Sequence, residues 1–329
     1  MKFVTHREIE AVGIDHAALV ATLEDAFRAS HAGEIIGRPK STVNQPDGAF
    51  FIGALAAWAK RNVGIFHCIM GPPPANLAPG EAHYRTYQLL TDYGRGTPIA
   101  MIDGTFTSTM LPAGITAMGA RALARPDSRI ATIVGAGQQA RVNLAALAEI
   151  FPLAEIRILG RSPVNAENFA GEIRHRGLQA RIMTDAEEAI RGADLIVSTV
   201  PSGPALKPFL DPAWVAPGAF VSAVDLGRSW LDGFEAFDRI VTDDRAQAVM
   251  QHAEGRVRYG GAYDTEIPEL ITGARPPRAR AEDRIVMIHP GNIVGVLGIT
   301  ALIHERLGAG VSMALRAKKP PEQDRFGLK

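Results

Sequence analysis

The sequence predicts an α/β fold built around a doubly wound parallel sheet, and three observations carry that prediction. Short β-rich runs alternate with helical patterns between about Ser128 and Asp243. An early junction between such a run and its helix holds the glycine-rich turn Gly135-Ala136-Gly137-Gln138-Gln139-Ala140. The chain of 329 residues exceeds one average domain of about 150. Its first ~115 residues follow a different pattern, which points to a second unit.

In chain order, Asp15 to Ala32 has the spacing of an amphipathic helix. Gly48 to Ala57, His83 to Thr91 and Pro98 to Gly104 read as strands of an antiparallel or mixed sheet. Arg129 to Val134 is a short buried strand, and Gln138 to Ile150 is the helix it feeds. Glu155 to Leu159 is a second strand, followed by a helix from about Asn165 to Arg176. Gln179 to Met183, Ala193 to Val200, Ala219 to Val224 and Arg239 to Thr242 complete the series, the fourth strand being ended by Pro201. Strands alternating with helices imply right-handed crossovers covering both faces of a parallel sheet. Asn292 to Ala317 is a long helical pattern expected to pack back on the N-terminal part. The first domain is then discontinuous, 1–115 plus 293–329, around a dinucleotide-binding domain at 116–292. The basic tail from Arg316 to Lys329 is expected to fray.

Composition narrows the function classes. The 35 Lys+Arg and 35 Asp+Glu cancel, so no global field draws nucleic acid or an anionic membrane. Cys68 is the only cysteine, which excludes an intramolecular disulfide and a cysteine-rich zinc site. The nine histidines show no metal-ligand spacing, so no metal is expected. The N-terminal residues lack the apolar core of a signal peptide, and the apolar run Ile293 to Ile303 is too short to span a bilayer. The expected location is cytoplasmic.

The glycine turn carries the most specific chemistry. Gly135 permits the tight turn, Gly137 lets a pyrophosphate approach the backbone, and Ala140 allows close helix–strand packing. Free N–H groups at the helix start then meet the phosphates. After the second strand, where an NAD site places a carboxylate, the chain has Arg161 and Ser162. These suit a ribose 2′-phosphate, so NADP(H) is favoured and NAD(H) is the alternative. Thr199, Val200 and Pro201, at the end of the fourth strand, complete the expected cofactor residues.

The sequence resembles the ornithine cyclodeaminase / μ-crystallin family over most of its length. Pro98 to Gly104, the small-residue helix Ala113 to Leu123, Arg129 to Ala140, Ser198 to Pro201, Pro217 to Val224 and Pro268 to Gly273 with Arg275 carry the resemblance in order and spacing. It implies a Rossmann domain with a substrate-binding and dimerisation domain, a homodimer, and chemistry on the C–N bond of an imine or amino acid. The departures are specific. Phe66-His67-Cys68 stands where the family has a lysine, and Leu111 stands where it has an arginine. Asp225 is the nearest counterpart of the family aspartate past the fifth strand, in a shorter segment. Lys40 lies where the family places an arginine that binds the substrate carboxylate. Ornithine cyclodeamination itself is therefore not expected.

Imine reduction needs a protonated imine, a group that holds its proton and an anchor for the carboxylate. Asp225 follows a buried strand at its carboxyl end, where ligands of open α/β sheets bind. Away from the chain ends, Lys40 and Lys60 are the lysines of that unit and both are candidate carboxylate partners. His67 lies in the expected pocket, as does His83-Tyr84-Arg85, where strand alternation puts His83 and Arg85 on one face. His289 follows the last strand of the nucleotide unit and is a candidate proton donor. Cys68 reads as a buried small residue rather than a nucleophile. The resulting expectation is an NAD(P)H-dependent oxidoreductase of a small imine, keto acid or amino acid. Two alternatives are a non-catalytic NADP(H)-binding protein of the same fold and a 2-hydroxy-acid dehydrogenase.

Overall fold

The computed structural model describes residues 1–78, 81–201, 203 and 206–308. The N-terminal unit opens with β1 (Lys2–Val4), α1 (His6–Glu10) and α2 (His16–His31). Asp15 caps α2 by accepting from the Ala18 N–H, so the helix starts where its capping residue places it. Strands β2 (Ile35–Gly37), β3 (Ser41–Asn44), β4 (Phe50–Trp58), β5 (Val63–Gly71), β6 (Arg85–Asp92) and β7 (Thr97–Asp103) then form a sheet of order β1-β7-β6-β5-β4-β2, with β3 also paired to β4. All its pairs are antiparallel except β1 with β7. The sequence reading had no strand at 63–71, where polar His67 and Cys68 interrupt the alternation.

Helix α3 (Thr105–Leu123) leads into the second unit. It starts at Thr105, after the N-cap residue Gly104 and well before the expected Ala113, and carries Pro112 inside. Then come β8 (Ile130–Val134), α4 (Gln138–Ala148), β9 (Glu155–Leu159), α5 (Pro163–His175), β10 (Gln179–Met183), α6 (Ala186–Ile190), β11 (Leu195–Ser198) and β12 (Phe220–Ala223). They are followed by β13 (Arg239–Thr242), α7 (Arg245–Ala253), β14 (Thr265–Glu266), α8 (Ile267–Ile271), β15 (Ile285–Ile288) and α9 (Ile293–Arg306). The second sheet has the order β10-β9-β8-β11-β12-β15-β13-β14, and every pair is parallel. This is an α/β architecture of Rossmann type. β11, β12 and β15 are buried throughout, as strands covered on both faces must be.

Asn292 caps α9 by accepting from the Val294 N–H, and α9 packs on α2, β4 and β5. The chain thus returns to the N-terminal unit directly after β15. The helix expected to reach Ala317 is described only to Arg306; residues 309–317 and the tail expected to fray at 316–329 lie outside the described residues. A continuous apolar core runs from α2 and α3 through α9 to β8 and β9. No helix among the described residues is long and apolar enough to cross a membrane.

Candidate active site

The carboxyl ends of β8, β9, β11, β12, β15 and β13 share one edge of the parallel sheet, where open α/β sheets bind their ligands. Gly135 there has φ +113°, and a Cβ on it would lie 2.5 Å from Thr199 Oγ1. Only glycine fits this turn. Thr199 Oγ1 in turn donates to the Val134 carbonyl at 3.0 Å, tying the first strand to the loop after the fourth. A Cβ on Gly137 would meet nothing within 4 Å, which leaves open space beside the first turn of α4. Ala140 is fully buried under that turn. The residues present therefore fit a pyrophosphate: a bare backbone, a helix start with free N–H groups, and room to approach.

Gln139 has a second task. Pro112 lacks the N–H that an α-helix would offer to the Ser108 carbonyl. The Gln139 amide donates to the Ser108 and Thr109 carbonyls at 3.4 and 3.3 Å, and so links α4 to α3 at the defect. Arg161 is exposed at the end of β9, and Ser162 caps α5 by accepting from the Asn165 N–H at 3.3 Å. Among the described residues the Ser162 hydroxyl donates to no partner. Val200 and Pro201 follow β11 at the same edge.

The opposite wall is built from distant segments. Lys40 is buried, and its ammonium donates to the Pro290 carbonyl at 3.0 Å, while its backbone N–H donates to Gln247 Oε1 at 2.6 Å. A Cβ on Gly291 would lie 3.1 Å from the Lys40 Nζ and 4.0 Å from Leu111, so the lysine and this leucine flank one bare backbone position. Burial lowers the Lys40 pKa to about 8, against the attraction of Asp243 and Asp244. Asp243 is also buried, and neither of its carboxyl oxygens has a hydrogen-bond partner among the described residues. Burial and the neighbouring Asp244 push its carboxyl up to about 8. His67 is buried beside Gln88, Nδ1 to Nε2 at 3.4 Å, and burial with the nearby Lys40 charge holds it neutral down to about pH 3.

Asp225 sits at the end of β12, buried, but both of its oxygens are occupied. Ser198 donates to Oδ1 at 2.8 Å, as does the Gly227 N–H at 3.2 Å, and the Ser229 hydroxyl donates to Oδ2. Trp230 Nε1 donates to Ser198 Oγ at 3.0 Å, so the aspartate anchors the loop after β12. That loop holds Leu226 at φ +64°, a strained position for a side-chain-bearing residue.

Two expectations change. His289 is buried between α3 and the sheet, with Nε2 3.0 Å from Ser222 Oγ and 3.4 Å from Thr116 Oγ1. Burial holds its pKa near 3, so at neutral pH it is an uncharged bridge and not an imidazolium donor. Arg85 is not in the crevice: it is exposed and paired with Glu81 at 2.6 Å. On β6 the residues facing inward are Thr86, Gln88 and Leu90, the other phase of the alternation. His83 and Tyr84 are exposed, and Lys60 is exposed and paired with Glu34. The structure thus brings Lys40, His67 and the loop of His289-Pro290-Gly291 together, and adds Gln88, Asp243 and Gln247, which sequence reasoning did not single out. Alternation read from the apolar Leu90 back through Gln88 and Thr86 held the signal for one of them.

Comparison with known proteins agrees with this layout. The model of the Ornithine cyclodeaminase/mu-crystallin family matches residues 2–310. The ketimine reductase mu-crystallin of Mus musculus is 29% identical over 314 residues, covering 94% of this chain and 98% of its own. Among solved structures, an archaeal alanine dehydrogenase dimer with bound NAD superposes with a TM-score of 0.83 at 23% identity, over 97% of this chain and 98% of that one. The Δ1-pyrroline-2-carboxylate reductase of Thermococcus litoralis, in complex with NADH and L-proline, gives 0.81 at 22% identity, over 93% and 97%. These structural likenesses establish the fold.

Proposed function

The chain belongs to the ornithine cyclodeaminase/mu-crystallin family, and from that premise we propose that it is an NAD(P)H-dependent reductase of a small 2-imino acid, with NADPH preferred. The observation that carries this reading is the buried Lys40 ammonium, held on the Pro290 carbonyl at the edge of the sheet that also carries the glycine turn. A dinucleotide on that turn supplies the hydride. Lys40 supplies the charge that holds the substrate carboxylate, in a site dry enough for a single ion pair to orient it. An imine that took up this hydride at its carbon would need one proton at nitrogen to become the amine. Asp243, its buried carboxyl pushed up to about 8 and without a hydrogen-bond partner among the described residues, is the group of this wall able to give that proton near neutral pH while Lys40 keeps its charge. Asp225, fully hydrogen-bonded, positions the loop after β12, and Leu111 packs beside Gly291.

The domain division at about 115 and 292 follows from the same reading: the crevice closes between Lys40 on one unit and Pro290 on the other. The outer face of the N-terminal sheet exposes Val43, Phe51, Leu55 and Phe66, with Leu55 directly opposite Phe66. An apolar strip of this kind marks an interface, and a homodimer through it accounts for the exposure.

The test is NADPH and NADH oxidation against cyclic imines and against 2-keto acids mixed with ammonia or methylamine, each with an amine-free control. Amine-dependent oxidation is the expected result. Oxidation that does not need the amine would mark a 2-hydroxy-acid dehydrogenase. Silence with saturable cofactor binding would mark a non-catalytic dinucleotide binder.

A further inference from the structure

Two arginines at the crevice have no role in the reading above. Arg228 lies three residues past Asp225, and its Nε donates to the Arg256 carbonyl at 2.7 Å. Arg256 follows α7, and its guanidinium donates to Thr42 Oγ1 at 3.4 Å. Thr42 is two residues beyond Lys40. Lys40 is buried, Ser41 exposed and Thr42 half-buried, so Lys40 and Thr42 face the same side of the strand. Arg256 therefore neighbours both other cations, its charge acting on Lys40 on one side and on Arg228 on the other.

No carboxylate stands within ion-pair distance of either guanidinium among the described residues, and each has a single hydrogen bond. Arg278 is also half-buried but spends its guanidinium on the carbonyls of Leu123, Ala281, Asp283 and Gly218. Half-buried guanidinium groups with free donors, beside a buried ammonium, leave positive charge unanswered. The neighbouring acids do not supply the answer. Asp225 is engaged by Ser198 and Ser229, Asp244 caps α7 and accepts from Asn292, burial pushes the Asp243 carboxyl up to about 8, and exposed Glu254 attracts Arg256 without forming an ion pair among the described residues. Burial lowers the pKa of both arginines, and for Arg228 the neighbouring Arg256 charge adds to it against the pull of Asp225.

We propose that Arg256 and Arg228 bind a second, distal carboxylate of the substrate, so that the preferred imines derive from dicarboxylic 2-oxo acids. Lys40 takes the carboxylate next to the imine carbon, and the arginine pair selects what lies at the other end. A substrate with a distal ammonium meets like charge there and is excluded. The proposal rests on the imine-reductase reading, and its test separates the two.

Amine-dependent NAD(P)H oxidation is measured with 2-oxoglutarate and oxaloacetate against pyruvate and 2-oxobutyrate, each with ammonia, in wild type, R256Q, R256K and R228Q. Calorimetry of glutarate against butyrate is run on the same proteins with NADPH present. The wild type should favour dicarboxylic substrates by at least about tenfold in kcat/KM, and R256Q should cut that ratio by about 10- to 100-fold. R256K should fall between, since lysine keeps the charge but loses the fork. A wild type indifferent to the distal carboxylate, or an R256Q that loses both substrate classes in parallel, overturns the proposal and leaves the reductase reading intact. If every imine is silent, the reductase reading fails, and calorimetry decides alone. Glutarate binding that R256Q abolishes supports the arginine site, and equal binding of glutarate and butyrate overturns it.

Discussion

The two walls of the crevice are made by different physics. The wall at Gly135 and Gly137 is backbone: a positive φ, a missing Cβ, and the first N–H groups of α4. The wall at Lys40 is side chain, with Lys40, His67, Asp243 and Gln247 buried and drawn from segments more than 200 residues apart. A backbone device tolerates almost no substitution and is indifferent to pH. A buried side-chain cluster tolerates substitution as packing but changes with every proton gained or lost. One fold can therefore hold its cofactor site constant while its substrate site diverges.

Four changes would break or sharpen that contrast. The largest effect is expected at the backbone wall. Gly135→Val forces a branched side chain into Thr199 at a φ it cannot adopt, and dinucleotide affinity should fall by 100-fold or more, about 3 kcal/mol. Isothermal titration checks this, and near-normal affinity would mean that the turn does not carry the phosphates. Next, Lys40→Met should lower kcat/KM by about 100-fold with cofactor affinity kept, while the melting temperature holds or rises, because a buried charge is replaced by an apolar stem. Loss of fold together with activity would instead make Lys40 a structural residue.

Smaller effects are expected from charge alone. Arg161→Ala should reduce the preference for NADPH over NADH by about tenfold, read as a ratio of kcat/KM. An unchanged ratio would remove the 2′-phosphate argument. The smallest is a pH effect. His67 and His289 titrate near pH 3 in the folded chain and near 6.5 when unfolded, so the unfolded state binds more protons between those values. Stability should fall as pH drops from about 6.5 towards 3, and H289Q should flatten the melting-temperature profile there. Lys40 acts on binding at the other end of the range: its protonated form is lost as pH rises through about 8, so KM for a carboxylate substrate should climb above that pH.

The same contrast explains what the sequence revealed. Strands β8 to β13 of the parallel unit were legible one by one, because they are short, apolar and bounded by glycine and proline, and because the turn at Gly135 demands residue types, whereas β14 and β15 were not read as runs. The N-terminal sheet was legible in kind but not in phase. On β6 the alternation places Thr86 and Gln88 inward and Arg85 outward, and a one-residue shift exchanges the faces. His289 was found in position but not in charge, since its burial under α3 depends on Thr116 and Ser222, far away in the chain. Asp243, Gln247, Arg228 and Arg256 carry no local pattern. Only the folding of residues 38–42 against α7 gives them a common neighbourhood.

Pro112 and Gln139 sit in different units, yet the proline withholds a donor and the glutamine supplies one. Replacing the proline alone gives the Ser108 carbonyl two suitors, and replacing the glutamine alone leaves it bare. The two positions therefore act as one structural unit across 27 positions of chain, each setting what the other must satisfy.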